Sequence, residues 1–94
     1  KNQGVGGAVA SAVGERLAKL ADKAQILVIT HSPQVAARGN SHWLINKSAT
    51  EKDDMVTTAV IPLEKERRRE EIARMLAGAK VTKEARAAAD NLLQ

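Results

Sequence analysis

From Val9 onward, apolar residues recur at spacings of three and four: Val9, Ala12, Val13, Leu17, Leu20 and Ala21. That is the period of one face of an α-helix. Glu15, Arg16, Lys19, Asp22 and Lys23 mostly fall outside the stripe, and Gly14 lies inside it, where glycine weakens a helix. Ahead of the stripe, Gly4, Gly6 and Gly7 predict a turn feeding the helix. The period then changes. Gln25 to Thr30 reads QILVIT, a short β-branched apolar run that predicts a strand buried on both faces, as in the parallel sheets of α/β proteins. A helix followed by such a strand is half of a βαβ unit, whose other strand would lie upstream.

Thr30-His31-Ser32-Pro33 leaves this strand. Pro33 suits the first position of a short helix, with Ser32 as N-cap, Gln34 to Arg38 as its body and Gly39-Asn40 as its stop. Ser41 to Lys47 alternates, with His42, Leu44 and Asn46 on one face and Trp43, Ile45 and Lys47 on the other. Met55 to Leu63 is rich in Val, Thr and Ile, and the polar stretch Ser48 to Asp54 makes a hairpin with a loose loop of the two. The last third predicts two helices. In the first, Glu64/Arg68, Arg67/Glu71 and Glu70/Arg74 are opposite charges four apart, Ile72, Met75 and Leu76 form the buried face, and Gly78 closes the end. In the second, Thr82 is the cap and Val81, Ala85, Ala88, Ala89 and Leu92 the apolar stripe. The order divides the chain at 1–24, 25–40, 41–63 and 64–94.

Composition narrows the class. The 94 residues are 44% apolar with a net charge of +4, which is globular rather than disordered. The longest unbroken apolar run, Ile26-Leu27-Val28-Ile29, is far short of a membrane-spanning helix, so no membrane partner is expected. No signal peptide is visible, and the first residue is Lys rather than Met, as expected of a fragment. With no cysteine, disulfides and cysteine-bound metal are excluded. Residues 1–63 carry seven basic and five acidic side chains and residues 64–94 eight and six, so neither part is a basic tail. Trp43 is the sole aromatic residue, poor material for stacking on bases.

His31 is the candidate with most chemistry, because ligands of open α/β sheets bind outside the carboxyl ends of the strands. An imidazole there can hydrogen-bond a phosphate or move a proton, or it can be structural. Gly4-Val5-Gly6-Gly7 ahead of a helix can present backbone N–H groups to an anion, or form a plain helix start. Ser32 lacks a G-x-S-x-G elbow and is a cap. His31 and His42 match no metal spacing, and no metal site is expected. Arg67-Arg68-Arg69 can touch phosphates, or be a solvated face paired with the neighbouring glutamates.

Three stretches carry a resemblance: Gly4 to Ala10 (GVGGAVA), Ile26 to Ala37 (ILVITHSPQVAA) and Glu71 to Gly78 (EIARMLAG), continued by Val81-Thr82 and Glu84 to Ala89. In that order they resemble the C-terminal part of the bacterial RecN family, relatives of the SMC proteins whose ABC-type ATPase head is split between the two ends of the chain. The resemblance implies an α/β fold, part of a head lobe built from a helix, a buried strand, a short helix, a β-hairpin and two C-terminal helices. It places Gly4, Val5, Gly6 and Gly7 in the D-loop at the interface of an ATP sandwich. It makes His31 the catalytic switch histidine, with Thr30, Ser32, Pro33 and Gln34 completing its loop.

The same resemblance implies ATP and Mg²⁺ in the complete head, the N-terminal half of that head and a second head as partners, DNA as the target of repair, and a cytoplasmic, nucleoid location. Two departures qualify it. The family carries an acidic Walker B motif and an Asp ahead of its glycines, whereas Lys1-Asn2-Gln3 stand here, and no GxxxxGK[ST] loop or ABC signature segment is present. The fragment alone is therefore expected neither to bind ATP tightly nor to hydrolyse it. An inactive interaction or dimerisation module and a basic DNA-binding fragment are the alternatives. A chain this small, with a central strand lacking neighbours, is expected to dimerise, aggregate or rearrange when alone.

Overall fold

The chain was analysed as a computed structural model, which describes residues 3–49, 56–78 and 80–94. Its elements are α1 (Gln3–Leu20), α2 (Pro33–Ala36), β1 (Trp43–Ala49), β2 (Val56–Pro62), α3 (Lys65–Ala77) and α4 (Lys83–Leu93). The α/β class, the hairpin and the two C-terminal helices are as the sequence implies. Lys1, Asn2 and most of the expected hairpin loop lie outside the described residues.

The signals that start and stop these helices are local. Thr82 Oγ1 accepts from Ala85 N at 3.1 Å and opens α4. Gly78, at φ 83, takes the left-handed backbone that ends α3, and its N–H reaches Arg74 O at 2.8 Å. β1 and β2 pair antiparallel, with Leu44 opposite Ile61 and Ile45 opposite Val60. Leu44 and Ile61 are half-buried on the inner face, whereas Trp43, Ile45, Val56 and Val60 stand exposed on the outer one.

The core lies where α3 crosses α4. Ile72, Ala73 and Ala89 are fully buried, Ala85 and Ala37 nearly so, and Met75, Leu76, Val81, Leu92 and Leu93 pack around them. Alanines at the crossing bring the helices close. The charges of α3 do not pair four apart as the sequence suggested. Arg69 bonds Asp90 at 2.6 Å and Arg86 bonds Glu70 at 2.7 Å, both across to α4, while Arg74 takes Glu71 three residues away. Partners on the facing helix win because they lie within reach once the apolar faces have met.

Three expectations need correction. Gln25 to Thr30 forms no strand: it has no ladder partner among the described residues, and Leu27 and Ile29 are 78% and 91% exposed. A strand buried on both faces needs a neighbour on each edge, and the hairpin pairs only with itself. The glycines do not form a turn, since α1 begins at Gln3 and Gly4 to Gly7 occupy its first turns. The apolar stripe of α1 is not its packed side either. Val9, Val13 and Leu20 are exposed, and the helix instead meets α2 through Gly14. A Cβ there would stand 2.9 Å from Arg38 Cγ and 3.1 Å from Gln34 O, so the glycine that weakened the helix pattern is what lets two backbones touch.

These exposed faces show in the overall dimensions. The accessible surface is 7609 Å², against about 5,300 Å² expected for a compact monomer of this mass. The radius of gyration is 14.8 Å, against about 12 Å expected.

Candidate functional site

The loop from Thr30 to Gln34 is built by its own hydrogen bonds. Ser32 is in extended backbone, and its Oγ accepts from Val35 N at 3.4 Å, so it caps α2 as predicted. Pro33 follows at the first helical position, where its missing N–H leaves nothing unpaired. Ser32 N–H donates to Thr30 Oγ1 at 2.9 Å, and Ser32 Oγ bonds Gln34 Oε1 at 3.1 Å. His31 lies between these anchored neighbours and is itself exposed. A short loop braced by its own hydrogen bonds therefore carries an exposed imidazole.

The predicted glycines approach this loop from α1. A Cβ on Gly7 would lie 3.5 Å from Gln34 Nε2, so one member of the glycine group and one member of the histidine loop are neighbours. Gly6 faces open space. Among the described residues no cluster of three or more His, Asp or Glu side chains is placed to hold a metal ion.

Sequence reasoning missed the groups that hold the loop from below. Arg68, expected to pair with Glu64 on the surface, is half-buried, and its Nη2 donates to Ala36 O and Ala37 O at 3.2 Å each and to Gly39 O at 2.5 Å. Arg38 Nη2 donates to Leu92 O at 2.6 Å, tying the end of α2 to the end of α4. The only available signal was the run of three arginines, which points as readily to solvent.

His42 stands beside this junction, with Nδ1 buried and unpartnered. Burial first, and the Arg68 charge second, push its pKa below the ordinary 6.5, against a smaller opposing pull from Glu71. The unfolded chain therefore binds this proton more readily than the folded one. The resulting stability is complete above the ordinary value and is lost as pH falls through it toward the folded value. The thermal midpoint should fall on acidification from about pH 7.5 to 5.5, and His42→Gln should flatten that slope. A slope unchanged by the substitution would assign the pH dependence to other groups.

The elements define an α/β fragment in which a capped one-turn helix displays a histidine beside a glycine-bearing helix. No family model matches the chain. Curated relatives do. Over 97% of its length the chain is 46% identical to the DNA repair protein RecN of Xylella fastidiosa (strain 9a5c), and over 96% it is 46% identical to that of Rickettsia felis. Over 84% it is 47% identical to the RecN of Bacillus subtilis. The chain is thus similar to the C-terminal part of RecN along nearly its whole length. It spans only 16% of the length of the Xylella and Rickettsia relatives and 13% of the Bacillus one. No helix among the described residues is long and apolar enough to cross a membrane.

Proposed function

We propose that this chain is the C-terminal segment of an SMC-like ATPase head that works in the repair of DNA double-strand breaks. The observation that carries the reading is the 46% identity to RecN across 97% of the chain. Two structural facts support it. His31 is exposed on a loop whose neighbours are hydrogen-bonded, and Gly7 of α1 comes up to that loop at Gln34. In this reading His31 contacts the terminal phosphate of ATP, and Thr30, Ser32, Pro33 and Gln34 hold it there. Gly4, Val5, Gly6 and Gly7 face the second head.

The residues present fit one edge of a nucleotide site. They supply a donor for developing phosphate charge, which is much of what phosphoryl transfer asks of a protein. They offer no cradle for the other phosphates and no carboxylate cluster for Mg²⁺ among the described residues, so those belong to the N-terminal half of the head. The complete head acts on chromosomal DNA and resides in the cytoplasm.

The test is complementation. This chain, mixed with the rest of the head extended through its acidic strand, should hydrolyse ATP, and neither piece should do so alone. A stable complex of the two without turnover would leave the chain as an interaction module and overturn the assignment.

A further inference from the structure

α2 is a single turn, Pro33–Ala36, too short to hold its own place. Its carbonyl end is also the end at which backbone acceptors lack intrahelical partners. Gly39 N–H reaches Ala36 O at 3.2 Å, and Arg68, rooted on α3, adds a charged donor. The two protons of its Nη2 are shared among the carbonyls of Ala36, Ala37 and Gly39. A cation at this end also meets the negative pole of the helix.

The bonds continue toward the histidine. Residue Ala36 accepts from Arg68 at its carbonyl and, on the other side of its Cα, donates from its N–H to Ser32 O at 3.0 Å. Ser32 in turn donates to Thr30 Oγ1 at 2.9 Å. Hydrogen bonds linked by single residues of backbone thus lead from the Arg68 guanidinium through Ala36 and Ser32 to Thr30, and Thr30 and Ser32 are the two neighbours of His31.

We propose that Arg68 is the positioning residue of the His31 loop, fixing from α3 where that imidazole stands. The proposal rests on the reading of His31 as the phosphate-facing group, but its geometry does not depend on turnover. Arg68 touches no reacting atom and acts only through α2. Lysine is a partial substitute, since its ammonium carries three protons for these carbonyls but ends one atom short of the place Nη2 occupies.

The experiment compares Arg68→Ala, Arg68→Lys and Arg69→Ala in the 94-residue chain by amide hydrogen exchange and by the NMR signals of the His31 ring. Arg69→Ala breaks the bond to Asp90 and serves as the control for a lost arginine on the same helix. Exchange at Ala36 and Ala37 should quicken about tenfold or more in Arg68→Ala, and by less in Arg68→Lys. The His31 signals should move toward those of an unstructured peptide in the same order, while Ile72 and Ala73 stay protected. Arg69→Ala should move none of these.

Unchanged His31 signals in an Arg68 variant that keeps Ile72 protected would overturn the proposal. Loss of Ile72 protection in both Arg68 variants would also overturn it, because Arg68 would then hold the core rather than the loop. In the complemented head the same substitutions should lower kcat and leave KM nearly unchanged. A wild-type head without turnover, alongside shifted His31 signals in Arg68→Ala, would instead remove the nucleotide reading and leave the positioning role standing.

Discussion

Ile72→Ala should abolish the cooperative thermal transition of this chain. Ile72 is the one large side chain fully buried among the described residues, and the rest of the buried core is alanine. Truncating a buried isoleucine costs about 2–5 kcal/mol, through lost transfer free energy and the cavity left behind. The buried alanines cannot move in to fill that cavity, and the larger side chains at its rim, Met75, Leu76, Leu92 and Leu93, can relax into it only in part, so the cost falls within that range. Complete domains hold only about 5–15 kcal/mol of stability, and a chain with this much uncovered surface stands at or below the low end. Circular dichroism on heating gives the measurement. A sharp transition retained near the wild-type midpoint would show that the core lies elsewhere. Ile72→Val, which removes one methyl group, should lower the midpoint and keep the transition, at a cost of about 0.5–1.5 kcal/mol.

His31→Ala should separate function from stability in the opposite sense. The ring is exposed, and the hydrogen bonds that shape its loop belong to the neighbouring residues. Its removal should therefore change folding stability by no more than about 0.5 kcal/mol. In the complemented head the loss should be large. Removing a single preorganised donor from developing transition-state charge typically costs about 10²–10³ in kcat. The readout is steady-state ATP turnover, with the melting curve of the variant as its control. His31→Gln keeps a donor near the same place and should retain part of the rate. Equal turnover in wild type and His31→Ala would make the residue a surface histidine and nothing more.

What could be read from the sequence was what depends on neighbours along the chain. Ser32-Pro33, Thr82 and Gly78 mark helix ends through bonds to residues three or four positions away, and each mark is where it was expected. The alternation of β1 against β2 predicted the hairpin, because strand pairing across a short connection is also local. What depends on distant partners was not legible. QILVIT carries the composition of a central strand, but composition cannot supply the edges it must pair with, and in the described chain it is unpaired and, apart from Ile26, exposed. The stripe of α1 failed likewise, since Gly14 determines which side meets α2 and the apolar side is left open. Arg68 was hidden between two other arginines, and only the fold shows which of the three turns inward. Of the candidate site, the Ser32-Pro33 cap was legible locally, whereas His31 was singled out by its place after a strand that the described residues do not form, and the arginine beneath the loop carried no local signal. The glycines stood out as a candidate anion-binding helix start and again through family resemblance, and the approach of Gly7 to Gln34 is a tertiary fact.

Trp43 stands 55% exposed on the outer face of the hairpin, beside Ile45 and Val60. The chain has no tyrosine and no phenylalanine, so its near-ultraviolet emission comes from that indole alone. Whatever settles on the open sheet must take water away from this one ring, and its spectrum then shifts to the blue. The protein thus carries a built-in optical gauge of its own assembly. No label is required, and the fraction of chains whose sheet is covered can be followed in real time from a single wavelength.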